Sequence, residues 1–375
     1  MADVSVPRMP MGPGGKPLTI TYNASPWSLT GLSFINLLLN IITLGIYRFW
    51  GKTQVRNRIW SAIRINDEPL EYTGTGKELF LGFLVALFLV LLPFLAVVVG
   101  AQIYFGPDNP MGGFAIIPAY IVLGYLFSVA FYSATRYRLS RTLWRGIRGS
   151  LVGSPWGYGR LAFFSGLLIP LTIGWIMPWR STKLQNRLVN TMQFGQEPFH
   201  FAGSSKPLYG PFSLLWIGGI GIYALVGGAF FLFKDYLPLP NGDGGPIQIP
   251  QAMQAALVAA AIIAAIVIPV ILAFIGSWYY ASLLKTFASY TTIDKARFHF
   301  NVSTWGLIGL ILTNLLIALF SFGILAPVIQ ARTMKFMVDR LTAEGTVDAD
   351  RIAQSQQQMT KTGEGMATFF DIDIF

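Results

Sequence analysis

His200 and His299 are the only imidazoles in 375 residues, and cysteine is absent. Thiolate nucleophiles, disulfides and Cys-ligated zinc or clusters are therefore excluded. Each histidine lies in a short extended segment with no second ligand at metal-site spacing, so a hydrogen-bonded surface role is expected and no metal site is assigned. No Ser/His/Asp set or paired carboxylate falls within an apolar run, so no catalytic residue is assigned and an enzyme is not expected. Gly219-Ile220-Gly221-Ile222-Tyr223-Ala224 fits the dinucleotide string G-x-G-x-x-A, but no strand precedes it and no acid follows about 20 residues later. Close helix packing through small residues, including Ala224 and Gly228, is expected there instead. Gly12-Pro13-Gly14-Gly15-Lys16 and Gly74-Thr75-Gly76-Lys77 lack the spacing of a phosphate loop and the Ser/Thr after the lysine. Both read as turns, and no cofactor is expected.

The chemistry that remains is cationic and polar. Arg136, Arg138, Arg141, Arg145, Arg148 and Arg160 occur without an acid between residues 135 and 160, interleaved with Trp144 and Trp156. Such a belt either sets membrane orientation or meets anionic lipid headgroups. Arg48, Lys52 and Arg56 are spaced i, i+4, i+8 on one helical face, and with Arg141, Arg145 and Arg148 they are the candidate headgroup contacts. Asn36, Asn40, Thr43, Ser165 and Asn314 are polar residues in apolar surroundings. They serve either interhelical hydrogen bonding or a polar lining. The apolar runs hold no Asp, Glu, Lys or Arg, which argues against a proton relay or charge-coupled pump.

These residues need elements to hold them. Apolar residues make up 53% of the chain and charged residues 12%, where a soluble domain has about 25% charged. Uncharged apolar stretches run over 29–47, 80–101, 114–134, 161–179, 209–233, 253–284 and 305–329. A soluble enzyme, a DNA-binding domain and a disordered chain are excluded, and no nucleic-acid partner is expected. Four stretches (80–101, 114–134, 209–233, 253–284) are long enough to cross the bilayer.

The other three share a pattern. Residues 25–74 align without a gap to the sequence 129 positions on: Ser25-Pro26-Trp27 with Ser154-Pro155-Trp156, Thr43, Gly45 and Trp50 with Thr172, Gly174 and Trp179, and Thr53, Asn57 and Arg58 with Thr182, Asn186 and Arg187. Glu68-Pro69 and Gly74 continue it to Glu197-Pro198 and Gly203. A shorter copy lies 149 beyond, where Trp305, Gly323 and Pro327 match Trp156, Gly174 and Pro178. Each copy predicts an N-cap at Ser25, Ser154 or Ser303, an apolar helix, a break at Gly45, Gly174 or Gly323, and a basic amphipathic helix. Alternation at Leu18, Ile20 and Tyr22, at Leu70 and Tyr72, at Phe199 and Phe201, and at Phe298, Phe300 and Val302 predicts short strands in small sheets.

Charge chooses between topologies. If all seven stretches cross, Lys and Arg divide 9 to 18 between the sides; if the three Gly-broken elements return to the side they left, the division is 26 to 1. The second obeys the positive-inside rule. The expected fold is an all-α polytopic membrane protein of four full transmembrane helices plus three re-entrant or bent elements, with short cytoplasmic β-strands and both termini cytoplasmic. Its expected divisions are a disordered lead (1–16), repeat 1 (17–147), repeat 2 (148–296), a partial repeat 3 (297–340) and an acidic tail (341–375).

Thr43-Leu44-Gly45-Ile46-Tyr47 followed by Trp50 and Lys52, and Arg141-Thr142-x-Trp144-Arg145-Gly146-x-Arg148, resemble the YjgN-like family of bacterial inner-membrane proteins. The resemblance covers roughly residues 17–340, and implies an inner-membrane location and no catalytic residues, since the family is a domain of unknown function. Two functions are carried forward. One is a transporter- or channel-like protein with a pathway between the broken elements. The other is a non-transporting protein that binds anionic lipid or organises an envelope complex. The tail residues Phe369–Phe375 alternate apolar and acidic, so they could dock on the basic cytoplasmic surface, but a solvated end is the favoured alternative because termini fray.

Overall fold

A computed structural model describes residues 16–106, 109–233, 251–347 and 352. Residues 1–15 of the lead, and the tail segment 369–375 whether docked or solvated, lie outside the described residues.

Among the described residues the helices come in five pairs, and each pair is joined to the next by a β-hairpin. The first pair is α1 (Thr30–Ile42), entered through a 3-10 turn at Pro26–Leu29, and α2 (Arg48–Ala62). The second is α3 (Gly76–Ala86) continuing through a π-turn at Leu87–Leu91 into α4 (Leu92–Phe105), then α5 (Pro110–Ser140). Then come α6 (Pro155–Leu171) with α7 (Met177–Val189), α8 (Lys206–Phe233) with α9 (Gln251–Ser289), and α10 (Thr304–Phe320) with α11 (Ala326–Val338).

Short and long pairs alternate. Gly76–Phe105 and Pro110–Ser140 are 30 and 31 residues long, so each reaches about 45 Å at 1.5 Å per residue. With Lys206–Gly228 and Val270–Ser289 they are, among the described residues, the four helical stretches apolar and long enough to cross a bilayer. The first helices of the short pairs have 13 or 17 residues, about 20–25 Å, which falls short of roughly 30 Å of hydrocarbon.

The strands are β1 (Lys16–Pro17), β2 (Ile20–Tyr22), β3 (Ile63–Ile65), β4 (Glu68–Pro69), β5 (Glu71–Tyr72), β6 (Thr142–Trp144), β7 (Ile147–Leu151), β8 (Met192–Phe194), β9 (Glu197–Phe201), β10 (Thr291–Ile293), β11 (Ala296–Phe300), β12 (Leu341–Glu344) and β13 (Thr346–Val347). An all-α description therefore misses a substantial part of the fold. Strands β5 to β12 form one eight-stranded antiparallel sheet in chain order, β2–β3–β4 a second and β1–β13 a third. Only one or two residues separate β1 from β2, β4 from β5 and β12 from β13. The three sheets thus join end to end, and the pairing closes into a ring in which the first strand meets the last. The divisions expected at 147/148 and 296/297 fall inside β7 and at the start of β11, so pairing runs across both.

Closure removes open sheet edges, and the ring is filled. Leu18, Trp144, Ile293, Ala296 and Val347 are buried together, with Ile65, Leu70, Phe194, Phe199 and Phe298 packed on them. Trp144 Nε1 donates to the Ile65 carbonyl at 3.2 Å, which ties distant parts of the ring. Two-residue turns with left-handed backbone close the hairpins: Asn66-Asp67 and Arg145-Gly146 have positive φ at both positions, as a type I′ turn demands.

Each helical pair leaves the ring and returns to it, so the two outer ends of every pair lie on the ring side. The second pair is bolted there by an ion pair: Arg141 Nη2, at the end of α5, lies 2.7 Å from Glu78 Oε1 in the first turn of α3, and Tyr137 Oη donates to the other carboxylate oxygen.

Candidate functional site

The three short pairs turn in the same way. Gly45 N donates to Asn40 O, Gly174 N to Ile169 O and Gly323 N to Ala318 O, at 2.7, 2.7 and 2.9 Å. Together with the i→i−3 bonds just before them, these are Schellman caps. The three glycines have φ between +79° and +86°, a region that L side chains avoid, and no other atom stands within 4 Å of where their Cβ would be. Glycine is therefore required there by backbone conformation and not by crowding.

The residue before each glycine is also left-handed, at Leu44 (φ 52°), Ile173 (φ 49°) and Phe322 (φ 49°). A large apolar residue, above all a β-branched one, pays in strain for that conformation. It also finds no shelter: Leu44 is 93% exposed, Phe322 92% and Ile173 69%. Three strained tips thus hold bare apolar side chains at the point of the chain farthest, in sequence, from the ring.

Thr43 is occupied with the turn. Its hydroxyl donates to Leu39 O at 2.7 Å and accepts from Tyr47 N at 2.9 Å, and Thr172 and Ser321 occupy the same place in their turns. Ser165 donates back to the Leu161 carbonyl within α6. Asn314 lies between helices, with Nδ2 on Thr333 at 3.1 Å and Oδ1 accepting from Arg332 Nε at 3.1 Å. Asn36 is buried against Gly51. The residue 129 positions after Gly51 is Arg180, which donates to Ala162 O at 3.1 Å. The first pair has no such arginine, and the buried Oδ1 atoms of Asn36 and Asn40 have no hydrogen-bond partner. Asn36, Asn40 and Thr43 therefore lie together in the first pair, Ser165 in the third and Asn314 in the fifth.

The cations divide into two groups. Arg56 is buried, with Nη1 3.2 Å from Tyr72 Oη, and Arg141 is buried on Glu78. Arg145, in the turn between β6 and β7, pairs with Glu68 of β4 at 3.2 Å. Arg48 lies over the Phe49 and Phe83 rings. Lys52 and Arg148 are likewise engaged. Another set stands exposed with no side-chain hydrogen bond or ion pair among the described residues: Arg58, Lys77, Arg160, Lys183, Arg187 and Lys206. Reading charge alone could not separate the two groups, because the difference lies in which tertiary partner each one meets.

Two clefts open beside this second set, on the ring side of the first pair. The larger, about 390 Å³, lies between α2 and the loop into α3, and is lined by Leu32, Trp50, Thr53, Gln54, Asn57, Arg58, Gly74, Thr75 and Gly76. Arg58 also borders the smaller, of about 210 Å³. Ser154 and Ser303 cap their helices as expected, through Gly157 N and Gly306 N, and Thr75 caps α3 through Glu78 N. Ser25 sits at the cap position without a side-chain bond. The packing expected at Ala224 and Gly228 occurs elsewhere on the helix: it is Gly218 that meets Ile275 of α9. His200 is exposed on β9, His299 Nε2 lies 3.5 Å from Glu344 Oε2, and no three of His, Asp and Glu gather among the described residues.

Four membrane-length apolar helices standing on a filled β ring define a polytopic membrane protein. The profile of a family described as bacterial protein of unknown function (DUF898) matches residues 17–369, and the chain belongs to that family. It is similar to the inner membrane protein YjgN of Escherichia coli O157:H7, at 28% identity over 150 residues, and to that of Escherichia coli K12, at 27%. That alignment covers 40% of this chain and 35% of either relative, so the chain matches about a third of their length. The YjgN of Salmonella typhimurium is 38% identical over 53 residues, 14% of this chain and 13% of that one. No solved structure matches. Like these relatives, the chain is an inner-membrane protein.

Proposed function

We propose that the β ring sits on the cytoplasmic face, that the two long pairs cross the membrane, and that the three short pairs are re-entrant units of an internal repeat. On this reading the protein is a non-transporting one that grips the cytoplasmic leaflet, with apolar tips in the acyl region and its cations against anionic headgroups. The observation that carries it is the set of strained, bare tips at Leu44, Ile173 and Phe322. A tip in hydrocarbon gains about 2 kcal/mol for each large side chain buried, which offsets the backbone strain, while a tip in water gains nothing. The 26-to-1 division of Lys and Arg supports the same orientation.

The sparse burial of the spanning helices fits a protein surrounded by lipid: between 6% and 22% of each apolar window is buried. The test is a fluorophore attached at Leu44→Cys or Phe322→Cys in nanodiscs whose lipids carry quenchers at known depths. Quenching by acyl-chain probes supports insertion; quenching only from the aqueous phase overturns it.

A transporter- or channel-like role has one observation in its favour, the two buried and unpartnered asparagine oxygens near the first break. It requires proteoliposomes to pass a small solute or ion, and Asn36→Leu to stop that flux. Tight proteoliposomes across a panel of ions and small solutes would remove it.

A further inference from the structure

Six residues that line the larger cleft are repeated identically 129 positions on: Leu32, Trp50, Thr53, Asn57, Arg58 and Gly74 as Leu161, Trp179, Thr182, Asn186, Arg187 and Gly203. The fold itself accounts for several. Thr53 and Thr182 hydroxyls donate to the Phe49 and Pro178 carbonyls. Asn57 and Asn186 donate to the carbonyls of Tyr72 and Phe201. Gly74 and Gly203 each lie under the aromatic ring two residues back, where a Cβ would collide. Trp50 packs on Phe80.

Arg58 and Arg187 have no such partner, although Arg187 stands in the last turn of α7, where a cation suits the helix dipole. Both are exposed, and neither guanidinium has a hydrogen bond or ion pair among the described residues. Their neighbour Arg56 shows what happens to an arginine that serves the fold. It bonds the Tyr72 hydroxyl, and 129 positions on stand Gln185 and Phe201, so charge and hydroxyl are lost together. Lys77 and Lys206 are a second identical pair of exposed cations, in the first turns of α3 and α8. A cation there opposes the helix dipole, and is tolerable where an anion sits between. A need for positive flanking charge is met by Lys or Arg anywhere nearby; it does not explain an arginine at one fixed position beside a cleft.

We infer that this cleft, and the matching set in the second unit, bind a phosphate ester. The forked Arg58 guanidinium takes two of its oxygens. Lys77 stands one residue beyond the cleft wall. The inference rests on the headgroup reading above, and adds where the headgroup sits and which group of it is held. The cleft opens at Gly76, where the first span begins, which is the depth of a phospholipid phosphate. A soluble phosphate offers the same chemistry.

The experiment uses the full chain in nanodiscs of phosphatidylcholine, with and without phosphatidylglycerol, and in phosphatidylcholine discs given inorganic phosphate. Retained lipid is counted by native mass spectrometry, and thermal stabilisation is followed against lipid fraction. Phosphatidylglycerol is expected to be retained and to stabilise. Arg58→Gln is expected to weaken that response about tenfold. Arg58→Lys should restore part of it, and Arg297→Gln, which removes an equal charge from an exposed site on β11, should leave it intact. Equal weakening by Arg58→Gln and Arg297→Gln would mean diffuse charge attraction and overturn the cleft. Inorganic phosphate that stabilises as well as phosphatidylglycerol, and is lost with Arg58→Gln, supports the phosphate site and overturns its lipid source. Wild-type protein that shows no preference for phosphatidylglycerol overturns the headgroup reading itself; a preference that Arg58→Gln leaves untouched overturns only the cleft.

Discussion

Short and long helical pairs start and finish on the same β ring, yet they place charge differently. In the first pair Arg48 follows the Leu44 tip by four residues. In the third and fifth pairs, Arg180 and Arg332 follow Ile173 and Phe322 by seven and ten. In the second pair, α5 runs from Pro110 to Arg136 before a charge appears. A charged residue at mid-bilayer is costly, so the position of the first cation on the returning helix limits how deep its pair can sit. The apolar helix that goes in is similar in character in both kinds. What separates them is the length of that helix and the place of the first cation on the helix that comes back.

The sharpest way to break this comparison is topological, and its effect is all or none. Cysteine at Asn109, between α4 and α5, should react with an impermeant thiol reagent from the periplasm. Cysteines at Asn66, in a ring turn, and at Ser150 and Ser204 should not. Periplasmic labelling at Asn66 would mean that the first short pair crosses, and the distinction would collapse.

Next in size is the junction of the long second pair with the ring. Glu78→Gln leaves Arg141, buried at the same place, without its counter-charge. Removing one partner of a buried ion pair costs about 3–5 kcal/mol. Folded yield and thermal stability in detergent should fall far more than for Glu68→Gln, whose partner Arg145 is exposed. Similar small losses for both would show that the junction does not hold the pair.

The turns of the short pairs come third. Gly45→Ala and Gly174→Ala should each lower stability by about 1 kcal/mol, because alanine resists the left-handed backbone. Gly309→Ala, in α10 with ordinary φ and free space, should be neutral or stabilising. If thermal midpoints move the same way at all three sites, the glycines are not the reason the short pairs turn.

The smallest effect concerns the ring where the first and last pairs meet. Burial, and then the Asp339 carboxylate, raise the Tyr22 phenol above its ordinary value of 10.0. The folded state therefore holds this proton more tightly than the unfolded state. That stability is complete below about pH 10 and is lost as pH rises through the folded value. Tyr22→Phe keeps the ring under Lys335 and should flatten the alkaline end of a stability–pH curve. An unchanged curve would assign the alkaline loss to another group.

The sequence by itself determined the elements whose causes are local or additive. Four spans follow from unbroken apolar length, the same-side return of the short pairs is expected from the charge division, and the turns follow from Gly45, Gly174 and Gly323. The 129- and 149-residue offsets carry α6 onto α10 and β3 onto β8, with matching ends. Strand hints at Ile20–Tyr22 and Phe298–Phe300 were legible through alternation, but strands of two to five residues are too short for periodicity to reveal their partners. Only the tertiary structure decided that they form one ring, because β1 meets β13 across more than three hundred residues of chain and no local signal encodes that pairing. It also decided which arginines serve the fold and which face outward. Arg56 and Arg58 are two residues apart and chemically identical, yet Arg56 is buried and reaches Tyr72 while Arg58 is exposed.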